Sequence, residues 1–283
     1  MVNSAVQTRP RAVLRPVVLC FSGHDPSGGA GIQADIEAIA ATGCHAAPLI
    51  TALTDQDSVR LYSYQPTDAN RLREQADHVI ADLNPEVIKV GMIGSEAVLK
   101  VIVDIARQHP DIPLILDPVL AAGGGGALSG SDFADLLVQQ LIPRCALITP
   151  NSEELARLCP APGGQFDQEV AVAQLLATGC RAVLVTGTHL ENAEVVNSLY
   201  RSDQPVLARS WPRLPGEYHG SGCTLTSHIA GLVAQGKRLE SAVLTAQQIT
   251  WDSLKNADPL GCGQLIPNRS GRSGRLVRGG KHE

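Results

Sequence analysis

The chain has 283 residues, 44% hydrophobic and 18% charged, an ordinary globular balance that excludes wholesale disorder and suits one large domain. Only 3% are aromatic and no apolar run approaches the roughly 20 residues of a membrane span, which argues against a base-stacking surface and a membrane anchor. The net charge is −5, with +3 in the first sixteen residues and +4 in the last fifteen, so Val17–Asn268 holds −12 and would repel nucleic-acid phosphates.

Residues 1–15 lack the apolar centre of a signal peptide and read as a flexible basic arm on a cytoplasmic protein. A strand is expected at Val17–Ser22, a helix at Ala30–Ala41, and a second strand at Ala46–Leu53. Helix Asp68–Leu83, strand Val87–Val90, helix Ser95–Gln108 and strand Leu114–Leu116 follow. Further on come helix Ser131–Leu141, strand Ala146–Ile148, helix Glu153–Leu158 and strand Ala182–Val185. Val195–Leu207 resembles a hairpin around Ser202–Gln204, and helices Cys223–Gln235 and Leu239–Lys255 close the body. Ser95 and Asn151 are in place to cap their helices. Residues 269–283 read as a flexible basic tail. Short apolar strands alternating with helices imply an α/β fold, a largely parallel sheet covered on both faces. Ligands of such sheets sit beyond the carboxyl ends of the strands. Here those ends carry SGHDPSGGAG, TALTDQD, VGMIGS, DPVLAAGGGGALSG, TPNSEE and VTGTHLEN. None of the seven cysteines forms a CxxC pair, so zinc and redox motifs are unsupported.

Three stretches carry candidate chemistry. In EYHGSGCTL, Gly220 and Gly222 let the backbone present consecutive N–H groups at a helix start, an anion hole for a phosphoryl group. Cys223 then falls in the first turn, where the dipole favours thiolate. The same pattern also fits an ordinary glycine-rich helix start with a buried cysteine. Neither GxxxxGK[ST] nor a GxGxxG after the first strand occurs, so Walker A and Rossmann readings are unsupported. In SGHDPSGGAGIQAD, Gly28, Gly29 and Gly31 permit close packing against a ligand; Asp35 lies one turn into the helix, facing either ligand or solvent. In TPNSEE, Asn151 and Glu154 share a helix face, where Glu154 is placed either to hold magnesium near phosphates or to complete a cap. Asp117, ending a buried strand before Pro118, is a second candidate for the magnesium environment or a plain turn residue.

The segments SGHDPSGGAGIQADIEA, TALTDQD, KVGMIGS, LDPVL, ITPNSEE and YHGSGCTLTS occur in this order at suitable separations. Together they resemble the hydroxymethylpyrimidine/phosphomethylpyrimidine kinases of thiamine biosynthesis, within the ribokinase-like superfamily, over about residues 16–268. Cys223 carries the distinction, since most ribokinase relatives have Asp there. The resemblance implies a three-layer α/β/α kinase domain in which ATP and Mg2+ meet a hydroxymethyl pyrimidine at the sheet's carboxyl edge. It implies Cys223 as proton acceptor, the backbone of Gly220, Ser221, Gly222 and Cys223 around the transferred phosphoryl, and Gln56 at the pyrimidine edge with Asp35 assisting. Ala30, Met92 and Val119 would line the ring pocket, and Asn151, Glu154 and Asp117 would manage magnesium and phosphate. A homodimer is implied as well.

This chain departs from the family in three places. Thr186 stands in VTGTH where many members have Lys, the loop after LDPV has no Lys, and His24 replaces a small hydroxyl residue. Thr186 remains the cofactor-side candidate at that position. His189 and His219 are candidate replacements for the lost charge, and Gly123–Gly126 reads as a mobile flap or a plain surface loop. Pyridoxal kinase activity, and a non-catalytic pyrimidine sensor, are the competing expectations.

Overall fold

A computed structural model describes residues 15–120, 131–161, 164–187 and 193–271. The Gly123–Gly126 flap, His189 and most of the two terminal arms therefore lie outside the described residues. Nine strands form one sheet: β1 (Val17–His24), β2 (His45–Gln56), β3 (Leu61–Pro66), β4 (Val87–Val90), β5 (Leu114–Leu116), β6 (Cys145–Ile148), β7 (Ala182–Val185), β8 (Glu194–Arg201) and β9 (Leu207–Pro212). Their order is β3-β2-β1-β4-β5-β6-β7-β8-β9. The six strands from β2 through β7 in that order are parallel, and antiparallel β3 and the β8–β9 ribbon flank them.

Alternate side chains of each central strand enter different cores, as the two-residue period of a strand requires. Leu19, Phe21, Ile88 and Val90 pack on one face against α2 (Ala69–Leu83), α3 (Glu96–Gln108), α4 (Ser131–Leu136), α5 (Ser152–Leu158) and α6 (Gln168–Ala177). Val18, Cys20, Val87 and Ile115 pack on the other against α1 (Gly31–Ala41), α7 (Ser221–Ala234) and α8 (Leu239–Lys255). The result is the expected three-layer α/β/α fold. Asp68, Ser95 and Asp167 each accept an N–H of the first turn they precede, which fixes where α2, α3 and α6 begin.

The structure corrects several boundaries. β2 runs on to Gln56 because β3 pairs with it antiparallel from Ala52 to Gln56. The helix expected over Ser131–Leu141 is α-helical only to Leu136. It widens into a π turn, Leu137–Leu141, and then tightens into a 3₁₀ turn through Pro143, whose missing N–H cannot continue the ladder. Arg269, expected in the tail, is buried at 2% exposure. It donates to Thr224 Oγ1 at 2.8 Å and to the carbonyls of Gly28 and Gly29, and pairs with Glu37 at 3.1 Å.

Candidate active site

The chain goes from β1 outward to β2, then returns to lay β4 on the other side of β1. The direction of winding therefore reverses between β1 and β4, and a crevice opens there at the carboxyl edge. A cavity of about 670 Å³ occupies this edge. Its walls come from successive strand ends: Thr54 and Gln56 at the end of β2, Ser22 and Gly23 in β1, Met92 after β4, Asp117 and Val119 after β5, Asn151 after β6, Thr186 after β7, and Asn197 and Trp211 on the ribbon. Four of the six loops singled out in the sequence are thus assembled along one edge, joined by the described starts of the other two.

α7 starts in the middle of this edge, packed across β1, β4 and β5. Gly220 precedes it with φ +73°, and a Cβ there would lie 2.2 Å from the Gly29 carbonyl oxygen and 2.8 Å from Ala30 Cα. Only glycine fits both constraints. No side chain caps the helix, and its first backbone bond is Thr224 N–H to the Gly220 carbonyl. The N–H groups of Ser221, Gly222 and Cys223 consequently have no acceptor within the helix and face the cavity at the positive end of the dipole.

Asp117 lies opposite this start, its carboxylate 3.7 Å from where a Gly222 Cβ would sit, and it accepts from the Cys223 thiol. Burial pushes the Cys223 thiol far up, and the negative charge of Asp117 adds to that. The dipole-stabilised thiolate expected from sequence is therefore corrected: the cysteine keeps its proton. Burial also raises the Asp117 carboxyl, against the pull of Lys89, and its Oδ2 has no hydrogen-bond partner among the described residues.

Lys89 explains where the positive charge lies. Fully buried in β4, its Nζ is 2.8 Å from Asp35 Oδ1 and 3.4 Å from Ser22 Oγ; burial works against its charge, but the carboxylate of Asp35 first, with that of Asp117, more than compensates. A Cβ on Gly91 would come within 2.8 Å of Nζ, so that glycine makes room for it. Asp35 also accepts from Ser227 Oγ at 2.7 Å. Asp35 is fully buried and absent from the cavity wall, so neither the substrate contact nor the solvated carboxylate expected from sequence is what the fold builds. It ties α1, β4 and α7 together beneath the cavity floor.

At α5 the reciprocal cap is realised: Asn151 Oδ1 accepts from Glu154 N–H at 2.8 Å and Glu154 Oε2 from Asn151 N–H at 3.0 Å. Burial and then the charge of Asp117 push the Glu154 carboxyl up to about 8, although hydrogen bonds from the backbone of Asn151 and Leu120 oppose this. Asn151 bridges to Thr186, whose N–H reaches the Pro150 carbonyl at 3.0 Å. Glu154 and Asp117 are two carboxylates on one wall, and no group of three metal-binding side chains occurs among the described residues.

At the other end, Asp25 organises the glycine loop. It accepts from Ser27 N–H and Ala30 N–H, each at 2.8 Å, and meets His219 Nε2 at 2.8 Å. Burial alone would raise this carboxyl, but hydrogen bonds from His219, Ser27 and Gln56 hold it well below the usual range. His219 is thus engaged with Asp25 rather than free to meet phosphate. His24 stays off the cavity wall, so its replacement of a small hydroxyl leaves the site's lining intact.

Apart from Asp35, the expected site residues share this cavity: Cys223, Gly220, Ser221, Gly222, Gln56, Ala30, Met92, Val119, Asn151, Thr186, Glu154 and Asp117. Missed were Lys89, Asp25, Asn197, Trp211 and Gln247. A lysine inside the apolar strand VIKV was a readable sign, since lysine is almost never fully buried unless paired.

A family model described as phosphomethylpyrimidine kinase matches residues 25–268. The hydroxymethylpyrimidine/phosphomethylpyrimidine kinase of Salmonella typhimurium is 34% identical over 88% of this chain and 94% of its own. The thiamine biosynthesis multifunctional protein of Corynebacterium efficiens is 34% identical over 89% of this chain, which spans about a third of that longer protein, 34%. Among solved structures, the Staphylococcus aureus pyridoxal kinase in complex with ADP superposes with TM-score 0.82 over 91% of this chain and 94% of its own, at 22% identity, a likeness of fold.

Proposed function

The chain belongs to the phosphomethylpyrimidine kinase family, and from that premise we infer how its residues carry out the reaction. It is a phosphotransferase of thiamine biosynthesis that phosphorylates 4-amino-5-hydroxymethyl-2-methylpyrimidine and then the monophosphate. The hydroxymethyl oxygen bonds to the γ-phosphorus of ATP, the bond from that phosphorus to the bridging oxygen breaks, and ADP leaves. The observation that carries the site assignment is the uncapped start of α7 at the centre of the cavity, with room on both sides. The transferred phosphoryl sits against the N–H groups of Ser221, Gly222 and Cys223, the pyrimidine on the β2–β1–β4 side and the nucleotide on the β6–β9 side.

On the pyrimidine side, Ala30, Met92 and Val119 sandwich the ring. Asp25 steers the NH2 of Gln56 toward itself, which leaves the Gln56 carbonyl to accept from the exocyclic amino group. Phosphoryl transfer passes through a loose transition state, so placement and charge compensation contribute more than a strong base. Cys223 receives the hydroxyl proton late in the step as its own S–H proton moves to the Asp117 carboxylate that already accepts it in a hydrogen bond. The Asp117 Oδ2, without a partner among the described residues, and nearby Glu154 would hold a magnesium ion on the phosphate side of the site. Bound there, magnesium supplies charge neutralisation on the phosphates. On the nucleotide side, Asn151 keeps its NH2 for phosphate and Thr186 offers its hydroxyl, two neutral donors where many relatives have a lysine. We also expect two copies to associate, which sedimentation would test.

A magnesium–ATP assay with the hydroxymethyl pyrimidine and its monophosphate in parallel, with pyridoxal as control, tests this reading. Pyrophosphate formation is expected. Turnover of pyridoxal alone would move the activity to vitamin B6 salvage, and tight pyrimidine binding without turnover would leave a sensor.

A further inference from the structure

At the β8–β9 end of the cavity, the orientation of one buried amide is dictated by groups that have no choice of role. The Gly187 N–H can only donate, and it reaches Asn197 Oδ1 at 3.2 Å. That commits the NH2 of Asn197 to donating, and it reaches Gln247 Oε1 at 3.1 Å. The Trp211 indole N–H, a donor with no accepting function, meets the same oxygen at 2.8 Å. With two donors on Oε1, the NH2 of Gln247 is the end that points away from the network. Gln247 is 4% exposed, lines the cavity beside Trp211 and Leu254, and its Nε2 has no acceptor among the described residues. This nitrogen is not among the fully buried unpartnered atoms, so it opens onto the cavity, where a ligand acceptor can take its protons in place of water.

We propose that Gln247 is a specificity-determining residue that donates a hydrogen bond to a ring nitrogen of the nucleotide's purine base. The proposal rests on the reading above, in which this end of the cavity holds the nucleotide. The phosphates belong at the start of α7 and at Asp117, over β4 and β5. Gln247 stands at the far end with the ribbon, where Val195, Trp211 and Leu254 offer apolar surface to a flat neutral ring. A base has ring-nitrogen acceptors in its plane and faces that suit such surface, so an amide fixed with its donors outward reads the base edge.

Gln247→Glu keeps an oxygen for Asn197 and Trp211 and replaces the outward NH2 with a second oxygen, so the network survives and the donor is inverted. The expected result is a KM for ATP raised about tenfold, with kcat and the pyrimidine KM within threefold of the parent. Gln247→Met should raise the ATP KM as well and also lower Tm, because it strands the two donors. A rise in ATP KM below fivefold in the Glu variant, or a rise in the pyrimidine KM in its place, overturns the proposal. A parent protein that consumes no ATP with the pyrimidine overturns the kinase reading too, whereas an active parent with an unmoved ATP KM in the variant overturns this proposal alone.

Discussion

Two helices begin on the same sheet edge and face the same cavity, and they begin in opposite ways. α5 closes its first turn with its own side chains, Asn151 and Glu154 each accepting the other's backbone N–H. α7 begins at Gly220 with no cap at all. The first arrangement satisfies its donors before any ligand arrives and holds a carboxylate in place. The second leaves three N–H groups and a dipole for an anion. What separates a structural helix start from a phosphoryl site here is the side chain that the cap position withholds.

The comparison breaks most severely from below. The start of α7 stands on Lys89, Asp35 and Ser227, and Lys89→Met would leave a buried carboxylate unpaired. It should cost about 3–5 kcal/mol of unfolding free energy, measured by denaturant titration. Next, Gly220→Ala puts a Cβ into the Gly29 carbonyl and strains a positive φ, displacing the donors without removing one. Turnover should fall about 10²–10³-fold, the usual effect of losing one such donor.

Further along α7, His228 is buried, with Nδ1 2.9 Å from Thr250 Oγ1 and Nε2 without a partner among the described residues. Burial, and then Arg269, lower its pKa to about 4. The unfolded chain takes up this proton below about pH 6.5 while the folded chain refuses it until about pH 4. Stability is therefore complete above pH 6.5 and declines as the pH falls toward 4, by about 3 kcal/mol in all. His228→Gln should flatten that part of the stability profile relative to the parent. The smallest effect on stability is expected at the closed start: Asn151→Ala should lose about 1 kcal/mol and lower Tm by about 2–4 °C, and because its NH2 faces phosphate it should also raise the KM for ATP.

The same contrast governs what could be read from the sequence. Leu114–Leu116 and Ala182–Val185 are legible to the residue because strands buried on both faces are unbroken apolar runs, and Val87–Val90 is such a run interrupted only by Lys89. β3, LYSYQP, escaped because an edge strand with one solvated face mixes polar and apolar residues, and α6 follows a proline- and glycine-rich stretch that hid its start. Within the site, Gly220–Cys223 and Asn151–Glu154 are local patterns and therefore visible. The Asp25–His219 and Lys89–Asp35 pairs join residues 194 and 54 positions apart, and no local pattern marks such a partner. Cys223 falls in the first turn of α7, where the local dipole alone favours a thiolate, and burial beside Asp117, which no local pattern shows, holds the proton on it.

The most direct test of the central claim, that phosphoryl transfer takes place at the open start of α7, is the steady-state kinetics of Cys223→Ala with both substrates varied. A kcat reduced about 100-fold, with both KM values within threefold of the parent, is the predicted result. An unchanged kcat would contradict it.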